Sequence, residues 1–142
     1  MDPKVVKYLP ADYIGMDSVV HFEIPADNVK RASKFYNDAF GWHIEQWESM
    51  QYWMVGTAES DDMGTPKKPG AINGGMGKRE GPLKSIVVTI SVDDIDKALQ
   101  RIEKAGGKTF SKKQAIGDMG FTAYFKDSEG NVVGLYQAAG PM

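Results

Sequence analysis

His21-Phe-Glu-Ile-Pro-Ala-Asp-Asn-Val29 and Val87-Val-Thr-Ile-Ser-Val-Asp-Asp-Ile95 stand 66 residues apart and align without a gap. Each is a strand-like run that meets acidic or amide residues and then turns to helical periodicity. The first continues into Ala32, Phe35, Tyr36 and Ala39, the second into Ala98, Leu99, Ile102 and Ala105. Apolar residues recur at three- and four-residue spacing in both, the stripe of a helix laid on a sheet. Asn28 and Asp94 share one register, each placed to accept a backbone N–H at a helix start. Both stripes run into glycine, Gly41 in the first copy and Gly106-Gly107 in the second, where a helix stops. Strand, cap, stripe and stop at one offset mark a duplicated unit.

Outward from each helix the pattern becomes strand-like. Trp42 to Trp47 alternates large and polar residues, Gln51 to Val55 is aromatic and β-branched, and Glu48-Ser49-Met50 reads as the turn between them. Residues 59 to 70 are polar and rich in proline and glycine, so a mobile loop is expected there. Ala71 to Met76 reads as a short last strand, with the linker at residues 78–83. In the second unit, Lys108 to Ala115 and Gly120 to Lys126 read as strands. Asp127-Ser128-Glu129-Gly130 is a hairpin turn and Asn131 to Gln137 the closing strand. Each unit is strand, helix, then three strands. The expectation is an α+β fold, one domain over residues 1–142 built of unit 17–77 and unit 84–138. A sheet of that kind buries one face against helices and leaves the other to line something.

Composition narrows the function. The chain has 142 residues, 42% hydrophobic and 25% charged, as soluble globular proteins do. Its longest apolar stretches, Ile86 to Ile90 among them, fall far short of the roughly twenty residues a membrane span needs. Lys4 and Lys7 make Met1 to Pro10 too polar for a secretory signal. With no cysteine, disulfides, thiol catalysis and cysteine-held metals are excluded. Seventeen basic residues against nineteen acidic give a net charge of −2 without a basic block, which argues against nucleic-acid binding. A cytoplasmic protein with no membrane partner is expected.

Three sets of residues then resemble a known family. The first is His21-Phe-Glu-Ile-Pro-Ala-Asp with Arg31-Ala, Phe35-Tyr36 and Phe40-Gly41-Trp42. The second is Val92-Asp93-Asp94-Ile95-Asp96-Lys97-Ala98 with Gly106-Gly107. The third is Tyr124-Phe125-Lys126-Asp127-Ser128-Glu129-Gly130-Asn131. Together they resemble the vicinal oxygen chelate superfamily of glyoxalase, bleomycin-resistance and extradiol dioxygenase proteins, most closely its lactoylglutathione-lyase-related branch. The similarity covers residues 17 to 137. It implies paired βαβββ units whose mixed sheet curls into an eight-stranded cup. In family enzymes a divalent metal (Zn, Ni, Mn or Fe) sits in that cup and chelates neighbouring substrate oxygens.

The same resemblance places metal ligands on the first and last strand of each unit. His21 falls at the first-strand position. Its counterpart by the 66-residue offset is Val87, which binds no metal. The closing-strand carboxylate is replaced by Gly134, and Ile72-Asn73-Gly74-Gly75-Met76 offers none. A lone imidazole does not hold an ion that wants three or four protein ligands. Glu23 shares a strand face with His21, so the pair reads as a weak metal site, as a catalytic base with its orienting carboxylate, or as a pocket histidine beside a rim carboxylate. Gln137, three residues beyond Gly134, falls on the opposite strand face.

The aromatic load of the first unit is the other signal. All three tryptophans lie between Trp42 and Trp53. Strand alternation sends Tyr52 and Met54 to one face and Trp53 and Val55 to the other, so one set lines the cup or a subunit contact. Trp47, Tyr52 and Met54 are candidate ligand-binding residues, joined by Tyr124 while Phe121 and Phe125 pack under the helices. His43 alternates with Trp42 and Ile44 and reads as a solvated side chain. Gly74-Gly75-Met76-Gly77 lacks the lysine and helix of a phosphate loop and reads as a close backbone approach. Two functions stand side by side. One is a metal-free protein binding a small organic molecule, in the manner of the bleomycin-resistance branch. The other is a metal-dependent lyase, isomerase or dioxygenase, with a metal-free acid–base enzyme using His21 and Glu23 as a third form. Family members of this length often pair, so a homodimer is expected.

Overall fold

The computed structural model describes residues 16–140, so the Met1 to Pro10 stretch read against a secretory signal lies outside the described residues. In chain order the elements are β1 (Val19–Ala26), α1 (Val29–Phe40), β2 (His43–Gln46), β3 (Trp53–Gly56), β4 (Gly74–Lys78) and β5 (Val87–Ser91), then α2 (Ile95–Lys104), β6 (Lys108–Ile116), β7 (Gly120–Lys126) and β8 (Val132–Ala138). All eight strands form one mixed sheet ordered β2-β3-β4-β1-β5-β8-β7-β6. β1 and β5 are antiparallel at its centre, and each takes its own unit's last strand, β4 or β8, as a parallel neighbour. Read outward from that seam, both halves have the same strand order. The duplication in the sequence is a duplication of topology.

The helices begin and end where the caps stand. Asn28 is extended (φ −139°) and its side chain accepts from the Arg31 N–H at 2.9 Å. Asp94 does the same for the Lys97 N–H at 3.0 Å. At Gly41 the backbone turns left-handed (φ 74°), a conformation a side chain would strain, and α1 stops. Gln137 reaches from β8 to the start of α2, where its Oε1 accepts from the Ile95 N–H at 2.8 Å. It caps a helix on the face turned away from the cup.

Both helices lie on one face of the sheet. Beneath α2, Ile95, Ala98 and Leu99 are buried with Ala123, Phe125 and Leu135. Beneath α1, Ile24, Ala26, Val55 and Met76 are buried, while Val29, Ala32 and Tyr36 cover them only in part. Trp42, Ile44 and Trp53 complete that cluster, and Phe121 and Val133 the other, as strand alternation requires.

The connection between β3 and β4 is the expected loop, tied by side-chain hydrogen bonds. Asn73 is its hub. Its Oδ1 accepts from the Thr57 N–H at 2.9 Å, and its Nδ2 donates to Ser60 Oγ at 2.8 Å and to the Gly64 carbonyl at 3.1 Å. Asp61 accepts from the Met63 and Thr65 N–H groups inside the same loop. Ala71 to Asn73 therefore belong to the connection, and β4 begins later than the expected strand. The sheet also curls. Trp47, after β2 at one edge, comes within 4.0 Å of where a methyl group on Gly117 would sit, in the β6–β7 turn at the other edge.

Candidate functional site in the cup

Away from the helices, the central strands present His21 and Glu23 from β1 and Val87 and Thr89 from β5. Register then builds two rows across the sheet. One runs Met54, Gly75, Glu23, Val87, and the other Tyr124, Gly134, Thr89, His21. On the two central strands the 66-residue offset relates one row to the other: Glu23 answers to Thr89 and His21 to Val87. Glycine holds the matching place in both rows, and this is where the tyrosines fit. A methyl group on Gly75 would overlap the Tyr52 hydroxyl, and one on Gly134 would lie 2.9 Å from Thr89 Oγ1 and 3.5 Å from the Tyr124 ring.

Tyr52 is delivered by the β2–β3 turn. There the Trp47 N–H bonds the Tyr52 carbonyl at 2.9 Å, the Gln46 amide donates to the Met50 carbonyl at 2.8 Å, and Glu48 adopts a positive φ of 52°. The Tyr52 ring reaches over Gly75 to the centre of the sheet. Its hydroxyl stands 3.1 Å from His21 Nε2, beside the Glu23 carboxylate. From the other unit, the Tyr124 hydroxyl donates to Glu23 Oε1. Glu23, only 7% exposed, thus collects a phenol from each half of the molecule. His21 and Glu23 do share a face, and the Tyr52 hydroxyl stands between them.

The electrostatics follow from burial. It pushes both phenols well above the ordinary tyrosine value, and the neighbouring Glu23 charge pushes them further in the same direction. Tyr52 and Tyr124 therefore remain protonated donors. Burial pushes His21 down from 6.5, and the attraction of Glu23 opposes that shift without overcoming it. Near neutral pH its imidazole is uncharged, able to take a proton.

A resident divalent ion does not fit these residues. Around His21 the cup-facing positions of β4 and β8 are Gly75 and Gly134, and β5 presents Val87 and Thr89, so these strands add a hydroxyl but no imidazole or carboxylate. Among the described residues, no three His, Cys, Asp or Glu side chains converge. One imidazole and one carboxylate make two ligands where three or four are wanted.

The other candidates are placed as follows. Met54 lies on the cup face at 37% exposure and Trp47 is half-buried at the curl. His43 is exposed beside Glu45 at 3.2 Å, remote from the cluster. Thr89 was not singled out from the sequence, although the repeat offset applied to Glu23 finds it. Two surface grooves, of about 380 Å³ beside Arg31 and Phe35 and about 650 Å³ beside Leu99 and Lys112, lie at the helices. Neither touches Glu23, Tyr52 or Tyr124.

With this geometry established, the relatives can be set beside it. The family model of the Glyoxalase/Bleomycin resistance protein/Dioxygenase superfamily matches residues 18–135. The chain belongs to that superfamily. A glyoxylase-like domain-containing protein of Didymella fabae is 35% identical over 114 residues, covering 77% of this chain and 84% of that one. Among solved structures, methylmalonyl-CoA epimerase from Mycobacterium tuberculosis superposes with a TM-score of 0.61 at 14% identity, over 95% of this chain and 96% of the other. A hypothetical protein from Bacillus halodurans C-125 gives the same TM-score at 12% identity, over 90% and 99%. At such identities the glyoxalase-superfamily structures attest the shared fold alone.

Proposed function

We propose that this glyoxalase-superfamily protein binds a small organic molecule in its cup through its own side chains and without a resident metal. The observation that carries the reading is the buried Glu23 carboxylate, bonded by Tyr124 and flanked by Tyr52 from the other half of the molecule. A few convergent polar groups under apolar walls, here Trp47 and Met54, are what small-ligand sites use. The test is a fragment screen followed by ¹H–¹⁵N NMR on the labelled full chain, with and without chelator. Hits are expected to shift the Glu23, Tyr52, Met54 and Tyr124 amides and the Trp47 indole equally in both conditions. Hits confined to other surfaces, or dependent on added metal, contradict the reading.

A second reading rests on the same chain of groups. His21, Tyr52 and Glu23 are contiguous, and a neutral imidazole beside a phenol and a carboxylate is a competent acid–base pair. As an enzyme, the protein would exchange a carbon-bound hydrogen of its ligand with solvent deuterium, and His21→Ala would stop that exchange.

Three further features belong to the same proposal. The motifs around His21, Val92 and Tyr124 support a place in the lactoylglutathione-lyase-related branch. A single domain over residues 1–142 works as a homodimer, which the exposed Phe35 and Phe40 of α1 support. A cytoplasmic setting accords with the lack of cysteine. Among the described residues, no helix is long and apolar enough to cross a membrane.

A further inference from the structure

Glu23 is the only charged side chain among the buried residues described, and no Lys or Arg among the described residues forms an ion pair with it. Burying a carboxylate without a countercharge is unfavourable, and phenol hydrogen bonds offset that only in part. Two phenol rings lie against it: Tyr124 donates to it, and the Tyr52 hydroxyl stands beside it. The face of an aromatic ring attracts a cation and repels an anion.

We propose that the cup selects a small organic cation, a protonated amine, with Glu23 as its counter-ion and the surrounding rings as its walls. The inference rests on the cup-binding reading above and adds the charge of the ligand to it. An ammonium brought to the carboxylate supplies the missing countercharge where screening by water is weak. A neutral ligand of the same shape gains only apolar burial. An anion meets like charge.

Three probes of one shape and different charge separate these cases: benzylamine, benzyl alcohol and benzoate. Each is titrated at neutral pH against the ¹⁵N-labelled full chain, followed at the cup amides and by tryptophan fluorescence. Benzylamine is expected to bind at least ten-fold tighter than either of the others and to weaken as salt is added. In Glu23→Gln its advantage over benzyl alcohol is expected to fall below three-fold. The order measured on the unmodified protein decides the matter even where that variant fails to fold. Benzyl alcohol or benzoate binding as tightly as benzylamine overturns the charge selection while leaving the cup as a binding site. None of the three shifting the cup overturns both readings together.

Discussion

The two βαβββ units share a skeleton and differ in what they place on it. Both begin with a capped helix on a strand, and both hold a glycine beside the central strand, Gly75 in one and Gly134 in the other. The second unit packs its helix fully: Ile95, Ala98 and Leu99 are buried under α2. The first leaves no residue of α1 fully buried, and Phe35 and Phe40 are 57% and 64% exposed. In the cup the inequality reverses. The first unit supplies His21, Glu23 and Tyr52, while the second answers with Val87, Thr89 and Tyr124. The second unit thus carries more of the core, and the first more of the chemistry. A duplicated frame constrains caps, stops and strand order, because every copy needs them to fold. The cup-facing positions do diverge, with Glu23 in one unit and Thr89 at the matched place in the other.

Substitutions at matched positions can break that comparison. The largest effect is expected under the helices. Ile95→Ala empties a fully buried site and is expected to cost about 3 kcal/mol, whereas Val29→Ala, at the matched position of the looser helix, costs about 1 kcal/mol. Denaturant melts of both variants check it, and equal losses would show that α1 is packed as α2 is.

Next come the two glycines. Gly75→Ala overlaps the Tyr52 hydroxyl and is expected to drive that ring from the cup, at a cost of about 2 kcal/mol. Gly134→Ala meets the Thr89 hydroxyl at 2.9 Å, which a small rotation relieves, so its cost is expected to be less than half as large. Tyr52 ring resonances in the two variants distinguish a displaced phenol from a general loss of stability.

The smallest effect is a pH slope. His21 titrates lower in the folded protein than its unfolded value of 6.5, so on acidification the unfolded chain takes up the proton first. This group's contribution is complete above the unfolded value and declines as pH falls below it toward the folded value. The wild-type denaturation midpoint is therefore expected to drop more steeply than that of His21→Gln between about pH 7 and about pH 5. Parallel slopes would contradict a buried, neutral imidazole. Val87, the matched residue in the second unit, contributes no such slope.

The fold was legible because its signals are local and repeated. Asn28, Asp94 and Gly41 announce helix ends within a few residues, and alternation at Tyr52–Val55 and Phe121–Phe125 assigns each side chain to a face. The site was legible only to the level of faces. His21 and Glu23 were assigned to one strand face and Tyr52 and Tyr124 named as candidates, but their convergence depends on register between strands distant in sequence. It also depends on a turn that swings Tyr52 over Gly75. No spacing rule conveys that a glycine on one strand makes room for a phenol from another. The start of β4 was misread for a similar reason: Ala71 to Asn73 looked like strand, while Asn73 belongs to the β3–β4 loop and holds it through side-chain bonds.

The central claim is that the cup works through its own side chains. Elemental analysis of the untagged full chain, purified without chelator and then incubated with Ni²⁺, Zn²⁺, Mn²⁺ and Fe²⁺, tests it most directly. Metal far below one equivalent, unchanged in His21→Ala, is the expected result. Near one equivalent of a transition metal, lost in His21→Ala, would contradict the account and return the protein to the metal-dependent chemistry of its superfamily.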